Sequence, residues 1–137
     1  MKKIIIHTDG GARGNPGPAG IGVHIADDSG RTVLEHSRYI GEATNNQAEY
    51  TAVIDALEKA REFGADEIAF LLDSELVVKQ LNREYKVRDA GLAPLFLKVW
   101  NLSVGFRKVT FTHVRREMNK EADRLVNEAI DRHLAGS

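Results

Sequence analysis

The sequence predicts an α/β fold, a mixed five-stranded sheet with helices on both faces, in the order βββαβααβα. Three observations predict it. Apolar and polar residues alternate as far as Ile40, the period then lengthens to that of a helix, and one unbroken apolar run, Ile68 to Leu72, is flanked by helical segments. The 137 residues are read as a single domain, 1–137, large enough for a core of its own.

Each element has a local reason. Lys3 to Asp9 is a strand rich in isoleucine, and Gly10 to Ala19 is expected as a Gly/Pro-rich loop. Ile21, Val23 and Ile25 alternate with small or polar residues, so Gly20 to Ala26 is a half-buried strand. The turn Asp27-Asp28-Ser29-Gly30 returns the chain as a third strand from Arg31 to Ile40. Thr44 or Asn45 caps a helix whose apolar stripe is Val53, Ala56, Leu57, Ala60 and Phe63, and Gly64 ends it. After the apolar strand, a short helix runs from Ser74 to Leu81. Pro94 fits the first turn of a third helix carrying Leu95, Phe96 and Val99. Lys108 to Val114 alternates again, and Asn119 to Leu134 closes the chain with Ala122, Leu125, Val126, Ala129 and Ile130 on one face. Trp100 is expected in the core, His24 and His36 at the surface, His113 packed or hydrogen-bonded in the last strand, and His133 at the final helix dipole.

Composition excludes several classes. No cysteine is present, which rules out disulfide scaffolds and thiolate metal sites. No apolar run approaches the ~18 residues of a membrane span, and the first residues lack a secretory pattern. The expectation is a cytoplasmic monomer without membrane contact. Net charge is −1, so bulk charge does not attract nucleic acid. Its distribution is uneven: acids cluster from Asp55 to Glu67, and bases recur at Arg83, Lys86, Arg88, Arg107, Lys108, Arg115 and Arg116.

Four acids stand where acids are costly. Asp9 and Asp73 are expected at strand ends, where ligands gather in open α/β sheets. Glu49 shares the apolar face of its helix with Val53, Ala56 and Ala60, and Asp123 leads Val126 and Ile130 in the same way. A lone buried carboxylate costs several kcal/mol unless paired or metal-bound. No basic residue stands near them in the local sequence. Inward carboxylates without thiols point to oxygen ligation of a hard divalent cation, Mg²⁺ or Mn²⁺, and such ions serve phosphoryl transfer.

The motifs His7-Thr8-Asp9-Gly10-Gly11, Gly14-Asn15-Pro16-Gly17-Pro18, Thr44-Asn45-Asn46-Gln47-Ala48-Glu49, Leu72-Asp73-Ser74 and Asn119-Lys120-Glu121-Ala122-Asp123 resemble, in order, those of type 1 ribonuclease H. The resemblance covers nearly the whole chain and agrees with the element order. It implies the ribonuclease H-like fold and an endonuclease that cuts the RNA strand of an RNA/DNA hybrid, leaving 3′-hydroxyl and 5′-phosphate ends. It further implies Asp9, Glu49, Asp73 and Asp123 as ligands of two Mg²⁺ ions, with Mn²⁺ able to substitute. One ion would lower the pKa of the attacking water and the other would stabilise the leaving 3′ oxygen. The nucleic-acid contacts it implies are Asn15, Thr44, Asn45 and Gln47, with backbone groups from Gly10 and Gly11 to Arg13.

The sequence departs from the best-known members twice. Their basic extension is replaced by a short segment with Tyr85, Lys86 and Arg88 as its contacts, which leaves double-stranded RNA open as a substrate. Their loop histidine has no counterpart in Arg115-Arg116-Glu117-Met118, and Arg116 is expected to take over part of its role. A non-catalytic hybrid-binding module is the alternative from another class, and the presence of all four acids argues against it.

Overall fold

The computed structural model describes residues 2–136. Its elements are β1 (Lys3–Ala12), β2 (Gly17–Asp27), β3 (Thr32–Ala43), α1 (Asn45–Phe63), β4 (Glu67–Leu72), α2 (Glu75–Leu81), α3 (Ala93–Ser103), β5 (Lys108–His113) and α4 (Lys120–Ala135), with a 3₁₀ turn at Arg116–Met118. The sheet order is β3-β2-β1-β4-β5, antiparallel from β3 to β1 and parallel from β1 to β5. The expected element order and mixed sheet are therefore present.

Helices cover both faces because of how side chains alternate. Ile4, Ile6, Val23, Ile25, Ile68 and Phe70 point to one face and form the main core with Tyr50, Val53 and Leu57 of α1. Thr44 caps α1: its hydroxyl accepts from the Gln47 N–H, and the Gln47 side chain accepts from the Thr44 N–H. Gly64 ends the helix at φ 78°, a left-handed conformation that suits glycine. The opposite face of β1, β2 and β3 carries α4. Gly22 lets it settle there, since a Cβ at this position would lie 2.2 Å from the Ala122 carbonyl oxygen. Gly10 does the same for α1 on the other face, with the Ala48 carbonyl carbon 2.2 Å from where its Cβ would stand.

Several expectations change. The expected loop from Gly10 to Ala19 is mostly strand: β1 runs to Ala12 and β2 begins at Gly17, because glycine is no obstacle to ladder pairing when helices press on both faces. Asp9 thus lies inside β1 rather than at its end. The second face of β4 is only half-buried at Ala69 and Leu71, since α4 lies over β1 to β3. Trp100 is 40% exposed beneath the Arg83 guanidinium, 3.6 Å from its ring centroid, while Val99 takes the core position. His24 and His36 are half-buried, His36 in a hydrogen bond to Asp55 at 2.9 Å. His113 is exposed, because β5 is an outer strand of the sheet. His133 does lie in the last turn of α4, and it also stacks on Tyr39 at 3.6 Å.

Gly22→Ala forces a methyl group into the α4 backbone, an overpacking that costs roughly 2–3 kcal/mol. Urea unfolding should show a lower midpoint with an unchanged m-value. An unaltered midpoint would mean that α4 rides on the sheet more loosely than described.

Candidate metal-binding active site

Parallel pairing of β1 with β4 sets Thr8 opposite Leu72, so Asp9 and Asp73 emerge side by side. Glu49 reaches them from the second turn of α1, whose backbone presses on Gly10; the Gly10 N–H donates both to Glu49 Oε1 and to Asp9 Oδ1. Ligand oxygens of Asp9, Glu49 and Asp73 lie within 4.8 Å of one another. Asp123 comes from the first turn of α4, in the same cleft of about 400 Å³, close enough to Asp9 for its charge to act there. Residues far apart in sequence thus converge where two strands and two helices meet.

This convergence raises the carboxyl pKa values. Burial pushes Asp9 up to about 7, against hydrogen bonding with Glu49 and helped by the charges of Asp73 and Asp123. Glu49 is held well above the ordinary range by burial and then by Asp9. Burial also raises Asp73, opposed by a hydrogen bond with Asn119 and by the charge of Arg116. Glu49 Oε2 is shielded from solvent and has no hydrogen-bond partner. An all-oxygen donor set with one orphaned buried oxygen and mutually repelling charges fits a hard divalent cation.

The structure brings a base where local sequence offered none. Arg116, in the 3₁₀ turn, is exposed and lines the cleft beside Asp73. Gly10, Gly11, Arg13 and Asn45 line it too. Arg13 is tied to α4 through an ion pair with Asp131 at 2.6 Å. Asn15 Oδ1 accepts from the Asn45 N–H at 3.0 Å, and Asn45 Oδ1 accepts from the Ala12 N–H at 2.9 Å. Thr44 and Gln47 are joined in the capping box at the same helix end. Lys86 lies elsewhere, in an apolar hollow with Tyr85, Phe96 and Leu97. Arg88, in the same segment, is exposed and does not line the carboxylate cleft.

Sequence reasoning gave Asn119 no role of its own. Only 1% exposed, it donates from Nδ2 to the Thr8 carbonyl at 2.9 Å, pinning the start of α4 to β1 beside Asp9. It stands at the N-terminal boundary of α4, yet its side chain makes no cap hydrogen bond.

Comparison with known proteins agrees with this geometry. The family described as reverse transcriptase-like matches residues 7–129. A bifunctional protein of Mycobacterium tuberculosis is 45% identical over 94% of this chain, which spans only 36% of that relative's length. Ribonuclease H of Chlorobium phaeobacteroides is 33% identical, with 95% of this chain and 97% of that one covered. The chain belongs to the ribonuclease H family. Within that family, the structure of LC11-RNase H1 in complex with an RNA/DNA hybrid matches at TM-score 0.91 and 51% identity, over 96% of this chain and 99% of that one.

The carboxylate cluster has a signature in metal-free stability. Between the unfolded carboxyl value of 3.8 and about 7, the folded chain keeps a proton on Asp9 that the unfolded chain has released. Stability should therefore fall as pH rises through that window, and Glu49, also held well above the ordinary range, adds to the decline. Thermal melts in chelator should show this decline, and Asp9→Asn should make it shallower. An equal slope in the variant would place the titrating group elsewhere.

Proposed function

We propose that the chain is an endoribonuclease, acting as one catalytic domain over residues 1–137, that hydrolyses the RNA strand of RNA/DNA hybrids and leaves 3′-hydroxyl and 5′-phosphate ends. The observation that carries the reading is the convergence of Asp9, Glu49, Asp73 and Asp123 in one cleft. The hybrid bound by LC11-RNase H1 supports the choice of substrate.

Asp9, Glu49, Asp73 and Asp123 would hold two Mg²⁺ ions, or Mn²⁺ in their place. When bound, such ions lower the pKa of a water and offset charge on a leaving 3′ oxygen. The protein's own share is positioning and charge placement. Asp9 and Asp73 are fixed by the strand ladder, Glu49 by the Gly10 N–H, and Asp123 by the Asn119 anchor on Thr8. Asn15, Asn45 and Gln47 each use a side-chain oxygen internally, which leaves their NH₂ groups as donors to 2′-hydroxyls or phosphate oxygens. Backbone groups of Gly10 and Gly11, together with Thr44 and Arg13, border the same path. Lys86 and Arg88 would add sequence-independent phosphate attraction from the neighbouring segment. Arg116 stands in the cleft as a permanent cation with a bidentate fork, suited to holding the scissile phosphate.

Asp73→Asn keeps the shape and removes a charge. With Mg²⁺, the parent should cut a labelled hybrid and the variant should leave it intact while melting at or above the parent temperature without metal. Full activity in the variant would refute the site. Arg116→Ala should lower kcat about ten- to a hundred-fold, equivalent to ~1.4–2.7 kcal/mol, and Arg116→Lys should recover only part of it. Unchanged kcat in Arg116→Ala would reduce Arg116 to a surface residue.

A further inference from the structure

One pleat along the sheet from Asp9, on the face that carries α4, a second group of ligand-bearing side chains meets. His24 of β2 lies opposite Glu35 of β3, and Glu121 projects from the first turn of α4. One ring nitrogen of His24 and one carboxylate oxygen from each glutamate lie within 4.8 Å of one another. The imidazole is already anchored: Nε2 is 3.0 Å from Thr32 Oγ1, while Nδ1 is shielded from solvent and has no hydrogen-bond partner. A ring held by one nitrogen with the other unengaged is the arrangement of a metal-ligating histidine. A hollow of about 300 Å³ opens beside His24 and Glu121.

The glutamates are not spent on their cation. Arg124 takes Oε2 of Glu35 at 2.8 Å, of Glu121 at 3.1 Å and of Glu128 at 2.7 Å. Three carboxylates around one guanidinium leave net negative charge, and each glutamate keeps a second oxygen. We propose that His24, Glu35 and Glu121 form a second metal site, separate from the carboxylate cleft, for a divalent cation of the imidazole-and-carboxylate class such as Zn²⁺. Mg²⁺, which prefers oxygen donors only, would leave it free. Two ligands come from the β2–β3 hairpin and the third from α4, so an ion there clamps the helix turn that also carries Asp123.

The test is calorimetric titration of Zn²⁺ into the intact chain in excess Mg²⁺, which keeps the carboxylate cleft occupied. The expected result is one Zn²⁺ per chain. His24→Ala should weaken it at least about tenfold, a loss that even an outer-shell partner can bring. The double variant Glu35→Gln with Glu121→Gln, whose altered side chains are exposed, should do the same, and metal-free melts establish that both variants fold. Asp73→Asn should bind Zn²⁺ as the parent does, which separates this site from the proposed active site. Zn²⁺ binding unaltered in both sets of variants, no Zn²⁺ bound by the parent, or loss of binding in Asp73→Asn would each overturn the assignment. Loss in His7→Ala with retention in the glutamate variant would replace the carboxylates by the neighbouring imidazole, and overturn it too.

Discussion

The arrangement depends on how closely two helices approach β1 and β2. An ordinary helix–sheet contact is separated by side chains; here Gly10 and Gly22 remove them, and the backbones of α1 and α4 come down onto the sheet from opposite faces. That proximity lets short side chains meet. Glu49 hydrogen-bonds to the backbone of β1, and Asn119 bonds the Thr8 carbonyl two residues before Gly10. With ordinary spacing on either face, Glu49 and Asp123 would stand back from Asp9, and the site would be a pair of strand carboxylates.

Charge crowding is the second consequence. The fold places buried acids together and supplies little that neutralises them: one backbone N–H for Glu49, one asparagine for Asp73 and one exposed arginine at the rim. Without a cation the group holds protons, because burial first and mutual repulsion second raise Asp9 and Glu49. The same tension makes it a receptive site for a small, highly charged ion. Asp55 shows the contrasting solution. Also partly buried, it is hydrogen-bonded by His36 and gripped at two points by Arg38, and its carboxyl falls below the ordinary range.

Much of this was legible in the sequence because it rests on periodicity. Glu49 declared itself by sharing a helical face with Val53 and Ala56, and Ile68 to Leu72 declared a strand, though one of its faces is only half-buried. What failed was of two kinds. Gly10 and Gly11 read as loop residues, since nothing local says that a helix will press on Gly10 and leave the ladder intact. Asn119 gained meaning only through a partner remote in the chain, the Thr8 carbonyl, and the nearness of Arg116 to Asp73 was likewise invisible locally. Trp100 and His113 were misplaced because the cover over α3 and β5 is incomplete, which no window of local sequence reports.

The β3 strand bounds the sheet on the side away from the cleft. A boundary strand presents unpaired backbone groups that another chain can adopt. Here the ladder with β2 is irregular at two places, between Ala19 and Gly20 and between Ile25 and Ala26, and Gly41 takes φ 84° near its end. Glu35, Arg38 and Glu42 are spaced along the strand with their charges at or near the rim. An incoming strand would meet a bent template and exposed charged side chains, so continued growth of the sheet is disfavoured. The sheet's width is thus limited by its border as well as by its core, and the β-rich architecture carries a built-in deterrent to self-templated aggregation.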